Sequence, residues 1–241
     1  MGKDKIRRFA EALTFKCMVQ PEFSEIFGKD YKLKGRWKED FFKNDNPIVL
    51  ELGCGRGEYT VGLAKANPDK NFIGIDIKGA RMWRGAKSVT EENIPNGGFL
   101  RTRIEFIGSF FAKNEIDEVW ITFPDPQLKK NRVKKRLTSA SFLKCYSEFL
   151  KEDGTVNLKT DCLHLHLYTR EVIKANELEE VVACEDIYNA PQGVVPEAVT
   201  ALQTTYEAKY LAQGVPITYL KFKLKQDYDF IAPDYAPDED L

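Results

Sequence analysis

The chain has 241 residues, 43% of them hydrophobic and 30% charged, with a formal net charge of −1. That length buries a substantial core in one large α/β domain or two small ones, and the composition is ordinary for a globular protein. No run of eighteen apolar residues occurs, which argues against a transmembrane helix.

The start, "MGKDKIRRFAEALTF", is charged and lacks the apolar centre of a secretory signal. Ile6 stands where a myristoylation signal has Ser or Thr. Residues 1–46 read as an appended helix and loop, with "RRFAEALTF" either an RNA-contacting arm or a packed helix. From residue 48 the pattern alternates. "IVLELG" (48–53) reads as a buried strand and 58–66 as a helix stopped by "NPD". A strand over 71–77, a helix over 80–93, and strands over 97–106 and 117–123 follow. Thr138 is placed to cap a helix that begins "SASFLKCYSEFL" and ends near Gly154, with its aromatics in the core. A strand over 155–161, a helix to about Asn176, and strands in "EEVVACEDIY" and "ITYLKFKL" complete the series. Strands separated by helices predict a mostly parallel sheet covered on both faces, in one domain over 47–226. The last fifteen residues, 227–241, hold six acids and no base, and read as a disordered tail. Without them, 36 basic residues face 31 acidic ones, a balance that permits a polyanionic partner.

Five cysteines (Cys17, Cys54, Cys145, Cys162, Cys184) without a CxxC pair suit reduced thiols and a cytoplasmic location. His164 and His166 are two apart on a helix, so their rings diverge, and no metal site is expected.

"ELGCGRGEYT" turns from strand to helix through Gly53, Gly55 and Gly57, where the backbone can come close to a ligand. The dinucleotide pattern G-x-G-x-x-G would need glycine at 58, and Glu58 is there. Glu51 beside the turn disfavours a pyrophosphate and suits a cationic ligand end. S-adenosylmethionine, with an ammonium, a sulfonium and no phosphate, fits. Asp76 closes the second strand where such folds bind ribose hydroxyls, and Glu105 is expected at the end of the third, towards the adenine edge.

"FPDPQLKKNRVKKR" follows the fourth strand. The two prolines stiffen the chain around Asp125. Lys129, Lys130, Arg132, Lys134, Lys135 and Arg136 then place six cations in eight residues, single-sign, which suits a phosphate backbone.

Together "LELGCGRG", "GIDIKG", "FPDPQLKKNRVKKRLTSASFL", "LKTD" and "TTYEAKYLAQGVPI" resemble the successive motifs of the bacterial tRNA (guanine-N7)-methyltransferases of the TrmB type, over about 48–224. The resemblance implies a Rossmann-like class I methyltransferase fold of seven strands, the last antiparallel. It implies S-adenosylmethionine as methyl donor and guanine 46 of the tRNA variable loop as acceptor. It carries cofactor contacts to Glu51, Gly53, Asp76, Glu105 and Asp125. Substrate contacts fall on Lys129, Asp161, Thr204, Thr205, Tyr206 and Glu207. Asp125 is the expected catalytic residue, with Asp161 or Glu207 reading the guanine edge and the remaining cations holding the tRNA backbone. The alternatives are a related methyltransferase acting on another RNA base or a small molecule, and an RNA-binding relative without catalysis. No membrane and no obligate protein partner are expected.

Overall fold

The computed structural model describes residues 2–234, which group into two compact units, one up to Val119 and one from Trp120. The seven acidic-tail positions 235–241 lie outside the described residues.

In the first unit, α1 (Gly2–Ala12) leads to a two-residue strand β1 (Met18–Val19), a short α2 (Phe23–Ile26) and a π-helical turn over Trp37–Phe42. Then come β2 (Ile48–Leu52), α3 (Glu58–Ala66), β3 (Asn71–Asp76), α4 (Gly79–Glu91) and β4 (Gly97–Arg101). β5 (Ile116–Thr122) runs through the boundary into the second unit. The strand order here is β1-β4-β3-β2-β5, with β1, β2, β3 and β4 paired in parallel. All five residues of β2 are buried, as expected of a parallel strand covered on both faces. α3 stops at Asn67 because Pro68 follows and disfavours helix in the residue before it.

The N-terminal segment builds into this unit. Met18 and Val19 pair with Phe99 and Leu100, giving an edge strand beyond the expected seven. Trp37 is fully buried, and its indole Nε1 donates to Phe110 O at 2.8 Å. α1 lies on α4: Trp83 Nε1 donates to Glu11 Oε2 at 3.0 Å, and Arg8 sits 4.9 Å over the Trp83 ring. Of the two readings of "RRFAEALTF", the packed helix is the one observed.

The second unit contains the end of β5, α5 (Ala140–Ser147), β6 (Leu150–Thr160), α6 (Leu163–Ala175), β7 (Glu180–Cys184), α7 (Glu197–Ala201), α8 (Thr205–Leu211) and β8 (Thr218–Lys223). Its strand order is β5-β6-β8-β7, and β8 is antiparallel to both neighbours. Two expectations fail here. Thr138 does not cap α5: Ser139 is the cap residue, and the Thr138 hydroxyl bonds to that of Thr169 at 2.8 Å. Nor does the helix reach Gly154. It ends at Ser147, because Phe149 and Leu150 turn into the core and the long β6 already includes Gly154. Tyr146 and Phe149 are fully buried core residues, as their spacing predicts.

Candidate active site

The first unit presents the glycine turn. Gly53, Gly55 and Gly57 all have left-handed backbone (φ 77, 55 and 72), which other residues adopt only under strain. A Cβ at Gly57 would lie 2.5 Å from the Phe99 ring, so this glycine lets α3 close on the sheet. A Cβ at Gly53 would meet open space, which leaves room for a ligand against the backbone. Glu51 is buried, and its Oε2 accepts the Thr60 N–H at 2.8 Å and the Thr60 hydroxyl, fastening the first turn of α3. Asp76 Oδ2 accepts the Gly55 N–H at 3.0 Å and its Oδ1 the Lys78 N–H at 2.8 Å. Each oxygen keeps a second lone pair for a donor such as a hydroxyl. Burial, then Glu51, then Asp76 push the Cys54 thiol well up, so the turn sits in a negative field. That field and the bare backbone fit a cationic ligand. Glu105 differs from its expected place. β4 ends at Arg101, and Glu105 lies beyond it in the 3-10 turn Ile104–Ser109, half exposed and 3.2 Å from Arg103 Nη2.

The second unit presents an acidic and aromatic cluster. Asp125 is exposed on the loop after β5, with its Oδ1 accepting the Gln127 N–H at 3.1 Å. Phe123 and Gln127 on either side have left-handed backbone (φ 47 and 49). Asp161 follows β6, and burial raises its pKa. Tyr206 is 47% exposed at the start of α8, its ring 5.5 Å from Phe123 and 4.7 Å from Tyr210, one helical turn on. Its phenol is pushed strongly up by burial and the Tyr210 hydrogen bond, and further by the charges of Asp161, Tyr210 and Asp125. Both carboxylates, Asp125 and Asp161, thus act electrostatically on the Tyr206 phenol.

Beneath them is a network of buried charges. Lys159 and Glu207 are both fully buried and form an ion pair at 2.7 Å. The Lys159 ammonium also donates to the carbonyls of Val199 (2.6 Å) and Leu202 (3.1 Å). Burial lowers its pKa, and Glu207 opposes that shift. Glu207 Oε1 further accepts the Tyr188 hydroxyl at 2.8 Å, and Oε2 accepts the Thr204 N–H at 3.3 Å. Burial and the bond to Glu207 push the Tyr188 phenol up to about 12. The Thr204 side chain accepts the Glu207 N–H at 3.1 Å, completing a capping box on α8.

The cations divide. Lys129, Lys130, Arg132, Lys134 and Lys135 are exposed on and before the 3-10 turn Lys130–Lys135. Arg136 is not exposed at all.

Residues 45–220 match a family model described as "Putative methyltransferase". The chain is 54% identical to the tRNA (guanine-N(7)-)-methyltransferase of Christiangramia forsetii, an alignment covering 93% of this chain and 99% of that one. It is 49% identical to the Porphyromonas gingivalis protein of the same name, over 94% and 93%. The chain belongs to the tRNA (guanine-N(7)-)-methyltransferase family. Its fold is also that of a 30S ribosomal A1408 methyltransferase from an uncultured bacterium, with a TM-score of 0.54 at 19% identity over 76% and 90% of the two chains.

In this member of the tRNA (guanine-N(7)-)-methyltransferase family, two of the expected substrate-side residues are buried instead of exposed. Glu207 does not offer its carboxylate to a base edge, since it is fully buried and both oxygens are bonded within the protein. Arg136 is not a backbone-gripping cation, because it is buried against the loop that carries Asp125. Lys159, Tyr188 and Tyr210 were not singled out from the sequence. A lysine inside the apolar strand "TVNLKTD" signals a buried charge that needs a partner, and "TTYE" is itself a capping-box signature. Tyr206 and Tyr210 are one helical turn apart, a spacing that puts both rings on one face.

Proposed function

We propose that the chain transfers a methyl group from S-adenosylmethionine to N7 of a guanine in tRNA, at position 46 of the variable loop. The observation that carries this reading is the family membership, at 54% identity over nearly the whole chain. The cofactor, when bound, supplies a methyl group on a sulfonium. The residues of the glycine turn suit it: Gly53 and Gly55 leave the backbone bare, Glu51 and Asp76 keep the field negative, and Asp76 has lone pairs for ribose hydroxyls. Guanine N7 has an in-plane lone pair and no proton to lose, so the reaction needs alignment rather than a general base. Positive charge develops on the purine as the methyl arrives. Asp125 and Asp161 are carboxylates suited to stabilise it, and Asp161 can accept from the guanine N1–H and 2-amino group. The Tyr206 ring is open for a base to stack on. Lys129 takes a phosphate or the guanine O6, and Lys130, Arg132, Lys134 and Lys135 take the tRNA backbone.

The test is incubation with labelled S-adenosylmethionine and unmodified tRNA, followed by borohydride and aniline. Cleavage at one variable-loop guanine is expected. Incorporated label without an aniline-sensitive site would reject N7 as the acceptor while keeping the enzyme class.

A further inference from the structure

Arg136 places a full positive charge where no solvent reaches it. Its Nε donates to the Pro126 carbonyl at 3.1 Å and its Nη2 to the Gln127 carbonyl at 3.4 Å. Nη2 is also 3.1 Å from His164 Nε2, and the guanidinium lies 4.2 Å over the Tyr168 ring. A guanidinium has only donors, so His164 Nε2 must accept, and the imidazole is neutral with its proton on Nδ1. Burial, and then the Arg136 charge, push the His164 pKa down, in keeping with that neutral form.

The loop that Arg136 grips is strained. Phe123 and Gln127 hold left-handed backbone that bulky residues disfavour, and such strain persists only where the surroundings over-determine it. Arg136 provides two rigidly spaced donors to two consecutive carbonyls of that loop. The Gln127 N–H in turn donates to Asp125 Oδ1, so the peptide that Arg136 fixes is the one that orients the carboxylate.

We propose that Arg136, backed by a neutral His164, is the positioning residue of loop 124–127 and holds the Asp125 carboxylate in its methyl-transfer orientation. The inference rests on the functional reading above, in which Asp125 serves the transfer. It also gives His164, the first histidine of "TDCLHLHL", a role as an acceptor that turns the arginine towards the loop. Lysine at 136 could reach one carbonyl but lacks the fork that spans two.

The experiment compares Arg136→Lys, His164→Leu and His164→Gln with the wild type. Three quantities are measured: the single-turnover methylation rate at saturating cofactor and tRNA, the tRNA affinity with its salt slope, and hydrogen exchange at the Gln127 amide. Arg136→Lys and His164→Leu are expected to slow transfer by about tenfold or more, the scale of a small misalignment at a reacting centre. Exchange at Gln127 should quicken several-fold in both. The tRNA affinity should stay within about twofold, with its salt slope unchanged, because Arg136 is buried away from the surface that a phosphate could reach. His164→Gln, whose amide oxygen can accept, should stay near wild type.

Wild-type rates and exchange in both Arg136→Lys and His164→Leu overturn the proposal. So does a weakened, less salt-sensitive tRNA complex with an unaltered rate, which would return Arg136 to the backbone-gripping role. If Arg136→Lys does not fold, the two His164 variants decide the question between them. Should the wild type methylate no tRNA guanine, the functional reading fails, while exchange at Gln127 still reports whether Arg136 holds the loop.

Discussion

Asp125 stands between two prolines and two left-handed residues, and its carboxylate is exposed while its backbone is fixed. Removing that carboxylate should therefore affect chemistry and not folding. Asp125→Ala is expected to lower single-turnover methylation by roughly 100-fold or more with an unchanged thermal midpoint. A near-normal rate at saturating cofactor would remove its assigned role. Lys159 and Glu207 behave in the opposite way, since both are fully buried and paired. Lys159→Met leaves the Glu207 charge buried alone and should cost about 3–5 kcal/mol of stability, measured by urea unfolding. Adding Glu207→Leu should recover much of that loss. If the double variant is as unstable as the single one, the unpaired charge is not the cause.

Among the elements, the proposed function gives the tRNA backbone to the 3-10 turn Lys130–Lys135 and the base to helix α8. The turn is short and buries none of its residues, so its cations stay exposed. Replacing Arg132, Lys134 and Lys135 with Gln should weaken tRNA binding and flatten its salt dependence, by about 0.7–0.9 in log–log slope for each phosphate that is no longer neutralised. A slope equal to that of the wild type would make the turn an ordinary solvated surface. α8 is only seven residues long and would be marginal alone. Its capping box and the Lys159–Glu207 pair fix it, leaving the Tyr206 ring exposed. The element is thus anchored by side chains whose motif, read as sequence, points to the substrate.

At the scale of the molecule, His166 is expected to couple pH to stability. This side chain is fully buried, with neither ring nitrogen hydrogen-bonded among the described residues. Burial lowers its pKa to about 4, with Glu185 and Glu180 opposing and Arg170 reinforcing the shift. A depressed histidine favours the fold only while neutral. Its contribution is therefore complete above the ordinary value of 6.5 and is lost as pH falls from there towards 4. His166→Leu should reduce the drop in unfolding midpoint between pH 7.5 and pH 5, and an equal drop in both proteins would exclude His166 as its source. The alternation of strands and helices from residue 48 was legible in the sequence, because periodicity and Gly and Pro signals are local. So was the left-handed glycine turn, whose conformation depends on the residues themselves. Helix α5 stopped earlier than its pattern suggested, because the burial of Phe149 and Leu150 overrode propensity. The run "KKNRVKKR" by itself determined a cationic element next to a rigid acidic loop. Only the tertiary structure decided that five of its cations face solvent while Arg136 turns inward. Likewise, only the fold decided that Glu207 meets Lys159, forty-eight residues away in sequence. Charge and spacing are properties of the chain, but burial depends on which distant residues are brought together, and burial decides whether a charge binds a ligand or holds the protein.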